Sequence, residues 1–582
     1  MGRLILLVLL SSTSIALAQQ PSKVTDMPGA AAPYSGAELF DCVQSGESKK
    51  CRVGQLIDQA TASSSCTSPL AWGAVGNGIV DDTVAVQTAV NVSIAASVPI
   101  CFDGSHKYLI SSTINVTGIA DLEGFAPVGN DGVSNAQTCL SGIFANSDIT
   151  AINVTGEKVI INNMCIQMAP LGSSRLSGTA IQLGGVDQQH SMVSGNTIFR
   201  PYYGIEFGGA GGKVRDSTAR DNVVRDPTGI GITVGRGTTG GISANETVEN
   251  NRIGCDAGAS GTGIGFAMFD GSVNYDGTNV GPSNCAKGTE VVPGASQNVN
   301  GFFKGVYGDS SGTHNGGAQA YELYIKPQAA SGVIEWAQFI GGWAGAVVNT
   351  SIPIYVAAYD AAHNSNCSNL KFVGVTAHSD DNAGTAPAVM DIEGCQNIAI
   401  TGSTLNAWLS GTTTDGIHIG QASGNPAHIA ISGSHIGIEA GATLTNGVTI
   451  TGTGGGPAYI SFAGNELNEA TNQINFTPST YNQVVQMGDN SGVDDTCNTS
   501  ISSATTITLP ASAACVHVTG TTTVQNIIGA WGNRRVIFYA DNGLTLATGG
   551  TTYGFCNSVT IPAANVAYLI NNQANGCWAA AQ

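Results

Sequence analysis

The chain has 582 residues, 78 of them glycine, with 10% charged and 42% hydrophobic residues and a formal net charge of −19. That length exceeds one ordinary globular core and points to an elongated repeat or several domains, while the scarcity of Glu and Lys excludes long solvent-exposed helices. The acidic balance excludes a nucleic-acid partner, whose phosphates it would repel, and disfavours a direct grip on a polyuronate unless cations bridge the two.

In chain order, Arg3, the apolar run Leu4 to Leu10 and the small-residue stretch Ala16-Leu17-Ala18 have the layout of a secretory signal peptide. Residues 1–18 are therefore expected to be removed, leaving a mature chain from near Gln19 that is secreted, extracellular or periplasmic. The apolar run is too short for a membrane span, and no later stretch has the length and lack of charge to be one. Fourteen cysteines suit an oxidising compartment, and the absence of any C-x-x-C pair argues against zinc. Pairing sequence neighbours is the simplest arrangement: Cys42–Cys51, Cys66–Cys101, Cys139–Cys165, Cys255–Cys285, Cys367–Cys395, Cys497–Cys515 and Cys556–Cys577. Spacing alone leaves connectivity open. Residues 19–65 then read as a disulfide-bearing extension.

In the segment Trp72 to Val90, Gly76 and Gly78 suit a tight turn, and Asp81 or Asp82 suits the cap of a helix whose apolar face is Val84, Val86 and Val90. Such a helix would plug an open end of a sheet structure and hide its unpaired edge. Capping explains both acids without catalysis.

From about residue 150 a two-part phrase recurs. One part ends in Asn or Ser after an apolar strand: Asn162-Asn163, Gly195-Asn196, Asp221-Asn222, Asn250-Asn251, Gly402-Ser403, Gly433-Ser434 and Gly464-Asn465. The other is apolar-x-apolar: Ile181-Gln182-Leu183, Ile205-Glu206-Phe207, Ile232-Thr233-Val234, Met390-Asp391-Ile392, Ile417-His418-Ile419 and Val448-Thr449-Ile450. Asn163 to Asn196, Asn196 to Asn222 and Asn222 to Asn251 are 33, 26 and 29 residues apart, and Ser403, Ser434 and Asn465 follow at intervals of 31. A variable period of this size on strands of period two describes the coils of a β-solenoid. Between about 255 and 365 only strand-like pieces survive, at Ala320 to Ile325, Val333 to Ile340 and Ile352 to Ala357. After a polar linker, Asp489 to Asp495, whose Asp spacing is not that of an EF-hand, a Thr-rich stretch runs to Trp578. Trp531 and Trp578 read as buried packing in preference to sugar stacking.

Trp72-Gly-Ala-Val-Gly-Asn-Gly-Ile-Val-Asp-Asp-Thr-Val-Ala-Val-Gln resembles the opening motif of the pectate-lyase-like superfamily, which includes rhamnogalacturonase-like proteins and phage tailspike depolymerases. Asn77 stands where that motif has its first Asp. The resemblance is specific over about twenty residues and implies an all-β, right-handed parallel β-helix over residues 66–488 with an N-terminal capping helix. Val516 to Val524 resembles small β modules at the C-terminal ends of phage-tail and related β-helix proteins, which places such a module at 489–582. The resemblance further implies a glycan bound in a groove on the helix exterior. Related tailspikes are trimers, but no heptad here demands one, and the oligomeric state stays open.

Strand side chains alternate, so the middle residues Asp391, His418 and Thr449 should point outward on successive coils. Asp391 and His418 then become ladder neighbours, with His378, Asp380, Asp381, Glu393 and Asp415 nearby. Asp391, Asp415 and His418 are the catalytic candidates, Glu393 is a substrate contact, and Asp380 and Asp381 are candidate calcium ligands. A second group holds Glu206, taken as outward-facing, with Arg225 and Asp226, and with Arg200 and Tyr202 as substrate contacts. At least five coils, on the order of 24 Å, separate the groups, so they cannot share one site. The plainer reading makes the first group a solvated polar face and leaves Arg215/Asp216, Arg220/Asp221 and Arg225/Asp226 as surface ion pairs. The polygalacturonase pattern is not intact: Asp380-Asp381 precedes Thr414-Asp415-Gly416, and Gly433-Ser434-His435 does not supply its G-H-G. The expected function is a secreted polysaccharide depolymerase, lyase or glycosidase; the alternative is a non-catalytic glycan-binding adhesin or scaffold.

Overall fold

The computed structural model describes residues 39–44, 47–52 and 66–581, apart from short stretches, of which 131–136, 169–177, 237–243, 256–262, 312–320, 453–458 and 479–483 are the longer. For 39–52 only the backbone is described, an antiparallel hairpin of Leu39–Gln44 with Glu47–Arg52 in a unit of its own. The signal-peptide expectation lies outside these residues, and the Cys42–Cys51 pairing falls on side chains outside those described. No helix among them is long and apolar enough to cross a membrane.

The repeat is a right-handed parallel β-helix. Most coils contribute one strand to a thirteen-strand sheet and two to a twenty-five-strand sheet. Thr385–Glu393, for example, is followed by Gln396–Thr401 and Thr404–Trp408, and Thr412–Ile419 then stacks in parallel register on Thr385–Glu393. Inward side chains form columns. Ile152, Ile181, Ile205 and Ile232 lie on one ladder. On another, the rings of Phe303, Phe339 and Phe372 stack at centroid distances of 4.8 and 5.0 Å. Alternation of period two is what delivers every second residue to this core.

The Asn/Ser phrase marks one bend. Asn163, Gly195, Asp221, Asn250, Gly402, Gly433 and Gly464 all have positive φ there, a conformation open to Gly and tolerated by Asn and Asp. The next residue turns inward. Asn196, Asn222 and Asn251 form a buried ladder in which each amide bonds the one above, and Asn465 and Asn490 do the same. The register corrects one expectation: Asn162 pairs with Ser194, so Asn163 matches Gly195 rather than Asn196, and Met164 occupies the ladder position. Among the described residues the strands also continue to pair in parallel from coil to coil through 255–365. The phrase is lost there because Asn298–Ser311 and Val333–Ala346 are continuous 14-residue strands.

Thr83–Ala96 is the capping helix. Ala85, Val86, Ala89 and Val90 are buried in the main core, whereas Val84 is 79% exposed, so Val86 and Val90 of the expected apolar face are on the core side and Val84 is not. Gln87 donates to the Asn115 carbonyl and accepts from its N–H, which satisfies the edge of the first strand of the thirteen-strand sheet. Asp82, 2% exposed, clamps the preceding turn by accepting from Val75 and Gly76 N–H, while Asp81 takes the Thr83 N–H. Six of the seven expected disulfides are present. Residues from Ser500 onward form a separate five-strand sheet with its own core, in which Trp578 is fully buried; Trp531 lies outside the described residues.

Candidate functional site

The middle residues of the apolar-x-apolar strands share one outward row. From Gln182 it runs through Glu206, Thr233, Ala267, Glu290, Tyr324, Tyr355, Asp391, His418 and Thr449. Register stacks them because each strand bonds its neighbour in phase.

At the C-terminal end of the row, Asp391 and His418 are ladder neighbours, with His418 Nδ1 2.8 Å from Asp391 Oδ1 and 3.4 Å from Glu393 Oε1. His418 Nε2 meets Thr451 Oγ1 at 3.0 Å. Burial alone would lower the imidazole's pKa; the Asp391 hydrogen bond and the charges of Asp391, Glu393 and Asp415 outweigh it and raise the value above 6.5. Asp415 sits on a parallel outward row, 7% exposed, accepting from Asn446 Nδ2 and Thr449 Oγ1 at 2.8 and 2.5 Å. Both bonds fall on Oδ1, and Asp415 acts on His418 through its charge.

Three tyrosines that sequence reasoning passed over adjoin this cluster. Tyr355 occupies the ladder position beside Asp391. The Tyr324 ring stacks on it at 5.4 Å, and Tyr321 lies within 5.0 and 5.2 Å of the two. Burial, then the neighbouring phenols and Asp391, push the Tyr321 pKa upward, and burial and Glu290 do the same for Tyr324, so both remain protonated donors at neutral pH. Lys287 caps Tyr324 at 4.3 Å while paired with Glu290. Leu323-Tyr324-Ile325 and Ile354-Tyr355-Val356 repeat the same phrase as Met390-Asp391-Ile392, which was the available signal.

The second group divides. Glu206 is on the row but 0% exposed, a correction to its expected outward exposure: Arg236 covers it, with Nε 2.8 Å from Oε1 and the guanidinium 3.7 Å from the Tyr203 ring. Tyr202 joins this patch through an edge contact with Tyr203. Arg225 lies on the other sheet, paired with Phe199, and Arg200 and Asp226 occupy the bends after those two strands. The predicted Arg215–Asp216 pair is replaced by Arg215–Asp187 at 3.1 Å, with Asp216 accepting from Asn245. Glu206 and Asp391 are six ladder steps apart, about 29 Å.

The ligand atoms of Asp391, Glu393 and His418 lie within 4.8 Å of one another. An imidazole with two carboxylates suits a borderline divalent cation; calcium prefers an all-oxygen shell, so the residues present do not fit it. The calcium expectation for Asp380 and Asp381 falls on side chains outside those described.

No family model matches the chain, and no curated protein matches it. Solved structures do. The tailspike mutant of E. coli bacteriophage HK620 is 12% identical with a TM-score of 0.41, covering 93% of this chain and 89% of its own. The Streptococcus pneumoniae surface adhesin PfbA is 11% identical with a TM-score of 0.42, covering 73% and 98%. The GH87 α-1,3-glucanase of Streptomyces thermodiastaticus is 14% identical with a TM-score of 0.38, covering 73% and 69%. These are likenesses of fold only.

Proposed function

We propose that this right-handed parallel β-helix, of pectate-lyase-like architecture, is an extracellular depolymerase that lays a polysaccharide along the outward row of its thirteen-strand sheet. One observation carries the reading: a platform of three tyrosines stands one ladder step from Asp391 and two from an imidazole whose Nδ1 faces two carboxylates. Aromatic faces take the apolar face of a sugar ring. A sugar seated on Tyr355 brings its glycosidic oxygen toward Asp391 and His418, where the raised imidazole pKa keeps a proton available near neutral pH. Asp391 and Glu393 are the carboxylates that share that proton and stabilise positive charge on the ring. The paired carboxylates fit hydrolysis, and burial raises the Tyr321 and Tyr324 pKa values, which disfavours those two phenols as bases for elimination. Six disulfides suit the oxidising compartment that export would provide.

A non-catalytic glycan-binding scaffold is the second reading, favoured by one observation: both His418 nitrogens are already engaged by protein groups. Incubation with a panel of plant and bacterial glycans, followed by reducing-end and ultraviolet assays, separates the two. New reducing ends without unsaturated products, lost in Asp391→Asn and His418→Ala, are expected. Binding without chain shortening transfers the assignment to the scaffold, and neither binding nor shortening refutes both.

A further inference from the structure

On the twenty-five-strand sheet, apart from the Asp391 row, one exterior column runs through consecutive coils. Trp336, Asn369, Asn397, His428 and Tyr459 lie one above another there, near the start of five stacked strands. The ladders pair Glu335 with Ser368, Ser368 with Gln396 and Gln396 with Ala427 in register, and the His428 and Tyr459 rings stack at 4.8 Å. Four strand spacings separate its ends, about 19 Å. The column is open to solvent. Trp336 is 60% and Tyr459 44% exposed, Asn397 and His428 are exposed, and Asn369 is half-buried. The Cys367–Cys395 disulfide ties two of the coils together, just ahead of Asn369 and Asn397.

Trp336 is the anomaly in this column. Glu335 and Trp336 together face the single residue Asn300, a β-bulge, and bulges re-aim side chains. At that bulge Trp336 takes a φ of 59°, the left-handed conformation shared by Asn369, Asn397 and His428 at 58°, 54° and 57°. Asn tolerates this backbone, whereas a bulky side chain is strained in it. The strain returns little packing, because the indole lies mostly in solvent, and strain of that kind points to function. On the next coils Asn397 Nδ2 donates to Asn369 Oδ1 at 3.2 Å, and Asn369 Nδ2 to Ser368 Oγ at 3.3 Å. Asn397 Oδ1 is thereby turned to accept from an outside donor. The column presents ring faces at both ends and amides between them, with no Asp, Glu, Lys or Arg among its members. A linear glycan offers the matching C–H faces and hydroxyls, whereas the core of a protein interface is apolar and would not keep amides at its centre.

We propose that this column binds a linear neutral glycan laid across the coils, with one pyranose face on Trp336, another on the His428–Tyr459 pair, and hydroxyls on Asn369 and Asn397. Binding here does not depend on the chemistry assigned to Asp391 and His418. The test is a calorimetric titration of the full-length protein carrying Asp391→Asn and Tyr355→Ala, which silence cleavage and the tyrosine platform. The probes are neutral gluco-, xylo-, manno- and galacto-disaccharides and hexasaccharides, together with oligogalacturonate. At least one neutral hexasaccharide is expected to bind saturably. It should bind about tenfold or more tighter than its disaccharide, because only the longer chain reaches both ends of the column. Trp336→Asn and Tyr459→Ala should each lower that affinity about five- to tenfold, as loss of one stacking ring implies. Trp336→Asn should also melt no lower than its parent, since Asn suits the left-handed backbone, and lost binding at undiminished stability marks a ligand contact. The proposal is overturned if no neutral hexasaccharide binds, if oligogalacturonate alone binds, or if the disaccharide binds as tightly as the hexasaccharide. It is overturned as well if both variants bind as the parent does, or if Trp336→Asn melts several degrees lower, which would assign the indole to the fold. An oligomer in sedimentation velocity that Trp336→Asn disperses would give the column to a second copy of the chain and refute it too.

Discussion

The buried asparagine ladder offers the sharpest test of how the coils are held. Asn222 is 0% exposed. Its Oδ1 accepts from the Asn196 N–H and Nδ2 at 3.0 Å each, and its Nδ2 donates to the Val193 carbonyl and Asn251 Oδ1 at 2.9 Å. Asn222→Ala removes all four bonds. The two acceptors lose one partner of several: Asn251 Oδ1, for instance, still receives the backbone N–H of residue 222. Two Asn196 protons are left with nothing, at about 1–3 kcal/mol each, so a loss near 4 kcal/mol is expected. Asn153→Ala is the control, because Asn153 makes one coil-to-coil bond to Asn115 on the exposed side, worth about 0.5 kcal/mol or less. Unfolding in urea, followed by circular dichroism, gives both values. Amide hydrogen exchange should show the Asn222→Ala loss concentrated in the coils around Asn196 and Asn251, since solenoid coils couple mainly to their neighbours. Equal stabilities for the two variants would refute the claim that burial of the ladder, and not the mere presence of an amide, is what stabilises the stack.

Two further predictions concern pH. The folded pKa of His418 is raised above 6.5, so its contact with Asp391 and Glu393 contributes fully below pH 6.5 and fades as pH rises through the folded value; the melting-temperature gap between the parent and His418→Gln should therefore shrink from pH 5.5 to pH 8.5, and a gap that widens would contradict the assignment. Glu246, fully buried, has a carboxyl pushed by burial, against the Ser217 N–H bond, from 4.5 to about 8. The fold therefore loses stability as pH rises from 4.5 through 8, with a ceiling of about 5 kcal/mol. Glu246→Gln should melt like the parent near pH 4.5 and several degrees higher at pH 9, and equal melting at pH 9 would show that the acid is not held neutral.

Much of the architecture was readable from residues alone. Alternation of period two, Gly and Asn at the bends and cysteines that pair with their sequence neighbours are local signals for strand, turn and staple. They placed the coils and the capping helix, and they put Asp391 beside His418, because these two strands carry the same phrase one coil apart. Contacts across coils whose bend motif is lost were harder to read. Ile354-Tyr355-Val356 carries the same phrase as Met390-Asp391-Ile392 and pairs with it directly, but the 14-residue strands before it erase the bend motif that counts the coils. Arg236 covers Glu206 by reaching back one coil from a strand end, which alternation cannot foresee: it assigns a side chain to a face and says nothing of what lies over that face. Sequence thus determined which side of the sheet each residue occupies. Tertiary stacking decided which outward residues stay open to a ligand, because burial depends on neighbours brought together from about 25–35 residues away along the chain.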